Sequence, residues 1–330
     1  MPLSVGIIGL KGHQGVALNA IPNLPDVRLA AVCDDDEAAL AGVRHWPSAH
    51  EHTQTYTNWG QMLEREKLDL VVEAGTDDQR AGILVECLKR GLHVLAEKPL
   101  VKELADLARV HEAWHGSGRQ LSMLLTMRFE PAYRAMKEII ATGAIGAVCQ
   151  AGVQKSYRLG QRPAWQRDRR TFSGIIPFIG THALDLIRFT TGREFTQVMA
   201  YQGNTGHPEI GDMEDHACLA LRLDNGGSAA ARLDYCRPAA APTHGDDRLR
   251  IAGSKGVIES LACGQTVTLI TQEEGPREIK LGPPADQSAN FVAAVRGEGQ
   301  CEAPAEDCFR MTEVVLKARE AARTGVPAAL

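Results

Sequence analysis

The first third of the chain alternates short apolar runs with helix-like stretches, and no other feature restricts its fold as strongly. Apolar runs over 4–8, 28–33, 68–74, 92–96 and 121–125 read as buried strands. A glycine loop with a short helix that must stop before Pro22 joins the first two. Helical patterns over 36–43, 79–90 and 103–115 fill the later connections, with Gly91 as a C-terminal stop. Strands that alternate with helices lie parallel and are joined by helical crossovers. Residues 1–125 are therefore expected to form an α/β domain on a doubly wound parallel sheet.

After Thr126 the rhythm changes. Helical patterns over 131–142 and 181–191 bracket a polar, basic stretch, and strand-like runs follow at 194–202, 216–223, 228–235, 249–251, 257–259 and 266–271. Asp224-Asn225-Gly226-Gly227 suits a hairpin turn, since Asn and Gly tolerate positive φ. Consecutive strands of this kind make an open, largely antiparallel sheet. With two closing helices near 286–296 and 306–323, residues 126–330 read as an α+β domain. The net charge of −5 gives no general attraction for nucleic acid or an anionic membrane. No apolar run approaches the ~20 residues that span a bilayer. The start of the chain lacks the basic, apolar pattern of a signal peptide. The eight cysteines form no C-x-x-C pair, and His45, His50 and His52 lack recognised ligand spacing. The expectation is a cytoplasmic protein with no metal.

Gly9-Leu10-Lys11-Gly12-His13-Gln14-Gly15 follows a strand and opens a helix. Backbone approaches a pyrophosphate closely only where side chains are absent, and helix N-terminal amides attract the anion. The spacing is G-x-x-G-x-x-G, with Lys11 where a second glycine is usual. Asp34, at the end of the second strand and 25 residues after Gly9, can accept both ribose hydroxyls of NAD and repel the 2′-phosphate of NADP. Asp35 and Asp36 add to that repulsion. The cofactor set is thus Gly9, Lys11, Gly12, His13, Gln14, Gly15, Asp34 and Asp35, with Thr76, Glu97 and Lys98 at later strand ends. The competing reading is a tight turn with a helix-capping aspartate.

Glu97-Lys98-Pro99 ends the 92–96 strand, at the edge where open parallel sheets hold ligands. A lysine there can hydrogen-bond a reacting hydroxyl, and an X-Pro bond at such a corner is a candidate for the cis form. The run from Gly91 through Glu97-Lys98-Pro99, together with Gly9–Gly15 and Asp34, resembles the glucose–fructose oxidoreductase, inositol dehydrogenase and MocA family. The similarity continues through Arg128-Phe129-Glu130-Pro131, Gly143–Gly146, Thr181-His182, Asp185, Glu214-Asp215 and Gly253–Gly256, nearly the whole chain. It implies a Rossmann domain followed by a domain whose open sheet forms the contact between subunits, in a homodimer or homotetramer. It also implies NAD(P) chemistry on sugars, inositols and related compounds, with Lys98 at the reacting hydroxyl.

The family's second motif reads D-x-x-x-H-x-x-D. His182 and Asp185 match it, but Phe178 stands in place of the first aspartate, and the preceding glycine run is reduced to Gly174. A histidine in the first turn of a helix stays neutral and suits a general base, while Asp185, three residues on, could orient it or bind a hydroxyl. Lys98, His182 and Asp185 are the expected catalytic set, with the lysine and the imidazole converging on one nicotinamide ring. Phe178 leaves three outcomes open: catalysis with a reduced set, another acid in its place, or changed chemistry.

Lys155, Arg158, Arg162, Arg167, Arg169 and Arg170 oppose only Asp168, a local charge of +5, with Tyr157 and Trp165 interleaved. Arginine forks bind carboxylates and aromatic rings pack on sugar faces, so an anionic or acid-bearing sugar is the expected substrate. Its binders would be Lys98, Arg128, Lys155, Tyr157, Arg158, Trp165, Arg169, His182 and Asp185. A solvated loop is the plainer reading of such a charge run. The expected activity is an NAD-dependent oxidoreductase for a secondary alcohol. Its rivals are an NAD-cycling lyase or glycosidase and a non-catalytic NAD-responsive protein.

Overall fold

The computed structural model describes residues 2–330, which form two compact units. The first contains residues up to Leu124 together with Asp286–Arg310. Its strands are β1 (Leu3–Ile8), β2 (Val27–Cys33), β3 (Gln54–Tyr56), β4 (Leu70–Glu73), β5 (His93–Ala96) and β6 (Leu121–Met123). They run in the order β3-β2-β1-β4-β5-β6, every neighbouring pair parallel. The helices between them are α1 (Gly15–Ala20), α2 (Glu37–Leu40), α3 (Trp59–Arg65), α4 (Asp77–Lys89) and α5 (Leu104–Ser117). This is the doubly wound sheet the alternation implied.

Its core joins Val5, Ile7, Leu29, Val32, Leu70, Val72, Leu95 and Leu124, all buried. Phe291 completes that cluster, so the helix Gln287–Arg296 belongs to the first unit although its sequence position suggested the second. The sequence reading passed over β3 and α3. Gln54 and Thr55 are exposed and β3 has three residues, so no apolar run marks this edge strand.

The second unit contains Leu125–Ala285 and Met311–Leu330. Here α6 (Pro131–Ala141) leads into β7 (Val148–Ser156), and α7 (Thr181–Thr191) into β8 (Phe195–Gly203). Then come β9 (His216–Leu223), β10 (Ser228–Asp234), β11 (Arg248–Gly253), β12 (Gly256–Leu261), β13 (Thr266–Thr271) and β14 (Arg277–Glu278). The chain returns to this sheet with β15 (Ala328–Ala329) after its last helix, Ala305–Thr324.

The nine strands run β14-β13-β12-β11-β7-β10-β9-β8-β15, antiparallel except where β7 meets β10. The sequence reading left β7, near the middle of this sheet, inside a polar stretch. Its inward residues are Val148, Ala151, Val153 and Lys155, and a lysine at the last of these hides the alternation. On β9, Ala217, Leu219, Leu221 and Leu223 are buried while Cys218, Ala220 and Arg222 face out. One face of the sheet thus packs inward, with α7 against β7, and the other carries small and polar side chains together with the exposed Tyr201 and Leu261.

Gly9 is fixed by geometry. Its φ is +88°, and an added Cβ would overlap the Gly75 backbone. Gly9→Ala is expected to lower stability by about 1–3 kcal/mol in urea denaturation and to abolish NAD binding.

Candidate active site

In the first unit the glycine loop is seated on the ends of β2 and β4. Gly9 N–H donates to the Cys33 carbonyl at 2.7 Å and Lys11 N–H to the Ala74 carbonyl at 2.9 Å. Gln14 Oε1 accepts from Gly12 N–H at 3.0 Å, and nothing lies within 4 Å of an added Gly15 Cβ, leaving open space at the start of α1. Asp34 is buried; its Oδ2 accepts from Leu10 N–H at 2.7 Å and its Oδ1 from Asp36 N–H at 2.9 Å. The helix-capping aspartate is Asp36, whose side chain accepts from Ala38 N–H. Asp34 is therefore left for the loop.

Lys11 Nζ lies 3.1 Å from Asp34 Oδ1 and also pairs with Asp35. Its ammonium partly offsets the negative charge that three consecutive aspartates suggested. A carboxylate at the end of β2, a close glycine turn and open space above α1 together fit an adenine dinucleotide.

Glu97 joins this loop to Lys98. Its Oε2 accepts from His13 N–H at 2.6 Å and lies 2.8 Å from His13 Nδ1, while its Oε1 accepts from Lys98 N–H at 2.9 Å. An added Cβ on Gly12 would overlap the same carboxylate, so this glycine is needed for close approach. Burial pushes Glu97 up, but His13, Lys98 and Arg80 outweigh it and hold the carboxyl well below the usual range. Lys98 is 1% exposed, with Nζ 3.6 Å from Glu97 Oε1. Burial lowers its pKa, against the opposing pull of Glu97 and Asp77. The Lys98–Pro99 bond is cis. Thr76 is half-buried at the N-cap of α4.

Sequence reasoning missed Arg80. Fully buried on α4, it donates to Glu73 at 2.6 Å, Asp77 at 3.0 Å, the Gly75 carbonyl at 2.9 Å and the Pro99 carbonyl at 2.8 Å. One guanidinium thus holds both the backbone beneath Gly9 and the corner after Lys98. No motif marks it, because two of its four partners are backbone carbonyls and its two acids, Glu73 and Asp77, fit no recognised pattern with it.

In the second unit His182 lies in the first turn of α7 and is 7% exposed. A π-helical turn, Ile176–Gly180, runs directly into α7. The amide end of the helical segment is therefore displaced upstream, with Phe178 N–H donating to Gly174 at 3.0 Å. This corrects the expectation of a helix dipole acting at full strength on His182. Asp185 is held elsewhere: Arg128 forks onto both its oxygens, at 2.9 and 2.6 Å, and the pair is buried. The structure brings together these two expected residues as an ion pair.

Phe178 packs edge-on against Phe172 and Trp165, with ring centroids 5.2 and 6.3 Å apart. The place of the usual carboxylate is thus taken by an aromatic cluster that includes the expected binder Trp165. Gly174 has φ +104°, and an added Cβ would overlap Arg169, which explains why the reduced glycine run keeps this one.

Much of the basic stretch is neutralised. Arg169 pairs with Glu214 and Arg170 with Asp168, while Arg158 donates to the Ala241 carbonyl. Arg162 lies over the Tyr235 ring, 4.1 Å from its centroid. Lys155 Nζ is 2.5 Å from Asp247 Oδ2, which also accepts from Tyr157 OH at 3.2 Å. Asp247 gave no signal in the sequence reading. Beside this group burial raises Glu130 to about 7, against the pull of Lys155 and with the push of Asp247.

A carboxyl raised on folding binds its proton more tightly in the native state, so its stabilising effect is present at low pH and fades as pH rises from about 4 toward 7. Glu130→Gln is therefore expected to be near neutral at pH 5 and to stabilise by about 1–2 kcal/mol at pH 8. Paired urea titrations at the two pH values check this.

Known proteins resemble this chain in sequence and fold. The "Oxidoreductase family, NAD-binding Rossmann fold" matches residues 3–125 and the GFO/IDH/MocA C-terminal domain matches residues 133–259. A solved structure of a Thermotoga maritima protein is 31% identical, covering 99% of this chain and 100% of its own with a TM-score of 0.94. The myo-inositol 2-dehydrogenase of Thermotoga maritima is 26% identical over 278 residues, 83% of this chain and 80% of its own. A Bordetella pertussis dehydrogenase solved with NADH and UDP-GlcNAcA is 20% identical with a TM-score of 0.84, covering 100% of this chain and 99% of its own, a likeness of fold. No helix among the described residues is long and apolar enough to cross a membrane.

Proposed function

Because the chain belongs to the GFO/IDH/MocA family of NAD-binding oxidoreductases, we propose that it oxidises a secondary alcohol of a sugar, cyclitol or sugar acid, or runs that reaction in reverse. The observation that carries this reading is the buried Lys98, oriented by a carboxylate that also holds the cofactor loop. NAD, when bound, supplies the hydride acceptor. Gly9, Gly12 and Gly15 let the backbone approach it, and Asp34 accepts from its adenosine ribose. Lys98 hydrogen-bonds the reacting hydroxyl and His182 takes its proton; Asp185 acts through Arg128 by fixing the guanidinium. Arg158, Arg162 and Arg167 are the basic side chains of the 155–170 stretch left to meet an acidic group, because Lys155, Arg169 and Arg170 are already paired with acids.

Phe178 supports a second reading, an enzyme that keeps NAD and cycles it through an elimination. Incubation with NAD and a panel of inositols, aldoses and their uronic acids separates the two. A dehydrogenase accumulates NADH in step with product, whereas product without NADH sinks the dehydrogenase reading. No product from any member, with NAD still bound, favours a binding role. The outer face of the second sheet, where Tyr201 and Leu261 are exposed, is proposed to seat another copy of the chain. Sedimentation of a monomer at micromolar concentration would exclude that.

A further inference from the structure

Three metal-ligating side chains meet at one end of the second unit's sheet, outside the groups used above. His207 lies in the connection from β8 to β9, Asp215 immediately precedes β9, and Cys236 lies two residues beyond β10. Asp215 is fully buried. Its Oδ2 accepts from Gly206 N–H at 2.7 Å and lies 3.1 Å from His207 Nδ1. Its Oδ1 accepts from Thr205 N–H at 3.3 Å and lies 2.6 Å from His216 Nδ1. The candidate ligand atoms of His207, Asp215 and Cys236 all lie within 4.8 Å of one another.

Adjacent ligands on a tetrahedral zinc, with bonds of about 2.0–2.3 Å, sit roughly 3.3–3.6 Å apart. The imidazole and carboxylate, 3.1 Å apart, need to part by only a few tenths of an ångström to reach that spacing. Cys236 is exposed and its N–H is fixed by Asp234 at 3.0 Å, so rotation of the thiol on a set backbone closes the rest. His216 grips the second carboxylate oxygen, the kind of outer contact that orients a ligand.

We propose that His207 Nδ1, Asp215 Oδ2 and Cys236 Sγ bind one zinc ion, with a fourth position left to water. A sulfur, nitrogen and oxygen set of this kind selects zinc over magnesium or calcium. The ion would clip the β8–β9 connection to the end of β10. Neither the cofactor loop nor Lys98 takes part, so the site is independent of the proposed reaction.

Cobalt(II) is the probe, added to the whole reduced chain without NAD or substrate. One equivalent is expected to bind with a near-ultraviolet sulfur-to-cobalt band and intense visible bands of tetrahedral type. Cys236→Ser is expected to lose the sulfur band, His207→Ala to lose one-to-one binding, and Cys218→Ser, an exposed cysteine on β9, to leave both intact. His216→Ala is expected to weaken binding about 10- to 100-fold. Far-UV circular dichroism of each variant separates ligand loss from misfolding, and Cys236→Ala serves if the serine variant does not fold. A sulfur band that survives in folded Cys236→Ser, or wild type that binds no stoichiometric cobalt, overturns the site.

Discussion

Lys98→Met is expected to cut kcat by about 10²- to 10⁴-fold, the range for removal of a positioned proton-transfer or hydrogen-bonding group. NAD binding should persist, because the glycine loop and Asp34 make their contacts without the lysine side chain. Methionine fills the buried volume and keeps the chain unbranched, so folding should be preserved. Lys98→Arg should not rescue, since a planar guanidinium cannot replace a compact ammonium in a site that is 1% exposed. The direction of the lysine's shift adds a second readout. Burial lowers its pKa, so a limb of the pH–rate profile is expected below the ordinary lysine value and should vanish in the variant. Steady-state kinetics beside calorimetric NAD binding checks both. Full activity in Lys98→Met would remove the lysine from the chemistry.

The largest expected loss of stability follows from Arg80→Met. Removing one member of a buried ion pair leaves the other charge uncompensated and costs about 3–5 kcal/mol. Here two carboxylates, Glu73 and Asp77, would lose their cation, and two carbonyls would lose a donor. The melting temperature is expected to fall on the order of 10 °C. Arg80→Lys should recover little, because one ammonium cannot reach four acceptors in the plane of a fork. Thermal melts of the three proteins, followed by calorimetry, give the answer. If the first unit melts unchanged in Arg80→Met, the buried fork is not what holds these loops.

What could be read in the chain before its structure divides along physical lines. Strands buried on both faces, such as 92–96, announce themselves as continuous apolar runs. β7 did not, because its outward residues are mostly polar and its last inward residue is Lys155, which is buried against Met127 and Asp247, the latter ninety-two residues away. The edge strand β3 was silent for the opposite reason, having little to bury. Spacing pointed to Gly9 and Asp34, and the resemblance to Lys98; each lies at a strand end in the structure. Spacing could not locate Arg80, whose partners are two carbonyls and two acids, nor show that Asp185 answers to Arg128 instead of to His182. The departure at Phe178 was visible, but its aromatic neighbours depend on how the π-turn aims the ring.

Glu97 receives the backbone of the glycine loop on one oxygen and the backbone of the reactive lysine on the other. In the proposed reaction, a dinucleotide on that loop is expected to change how tightly the shared acid is gripped, and with it the basicity of the Lys98 amine. On the proposed reaction, coenzyme is expected to load before the alcohol, and initial-rate kinetics with product inhibition checks that order.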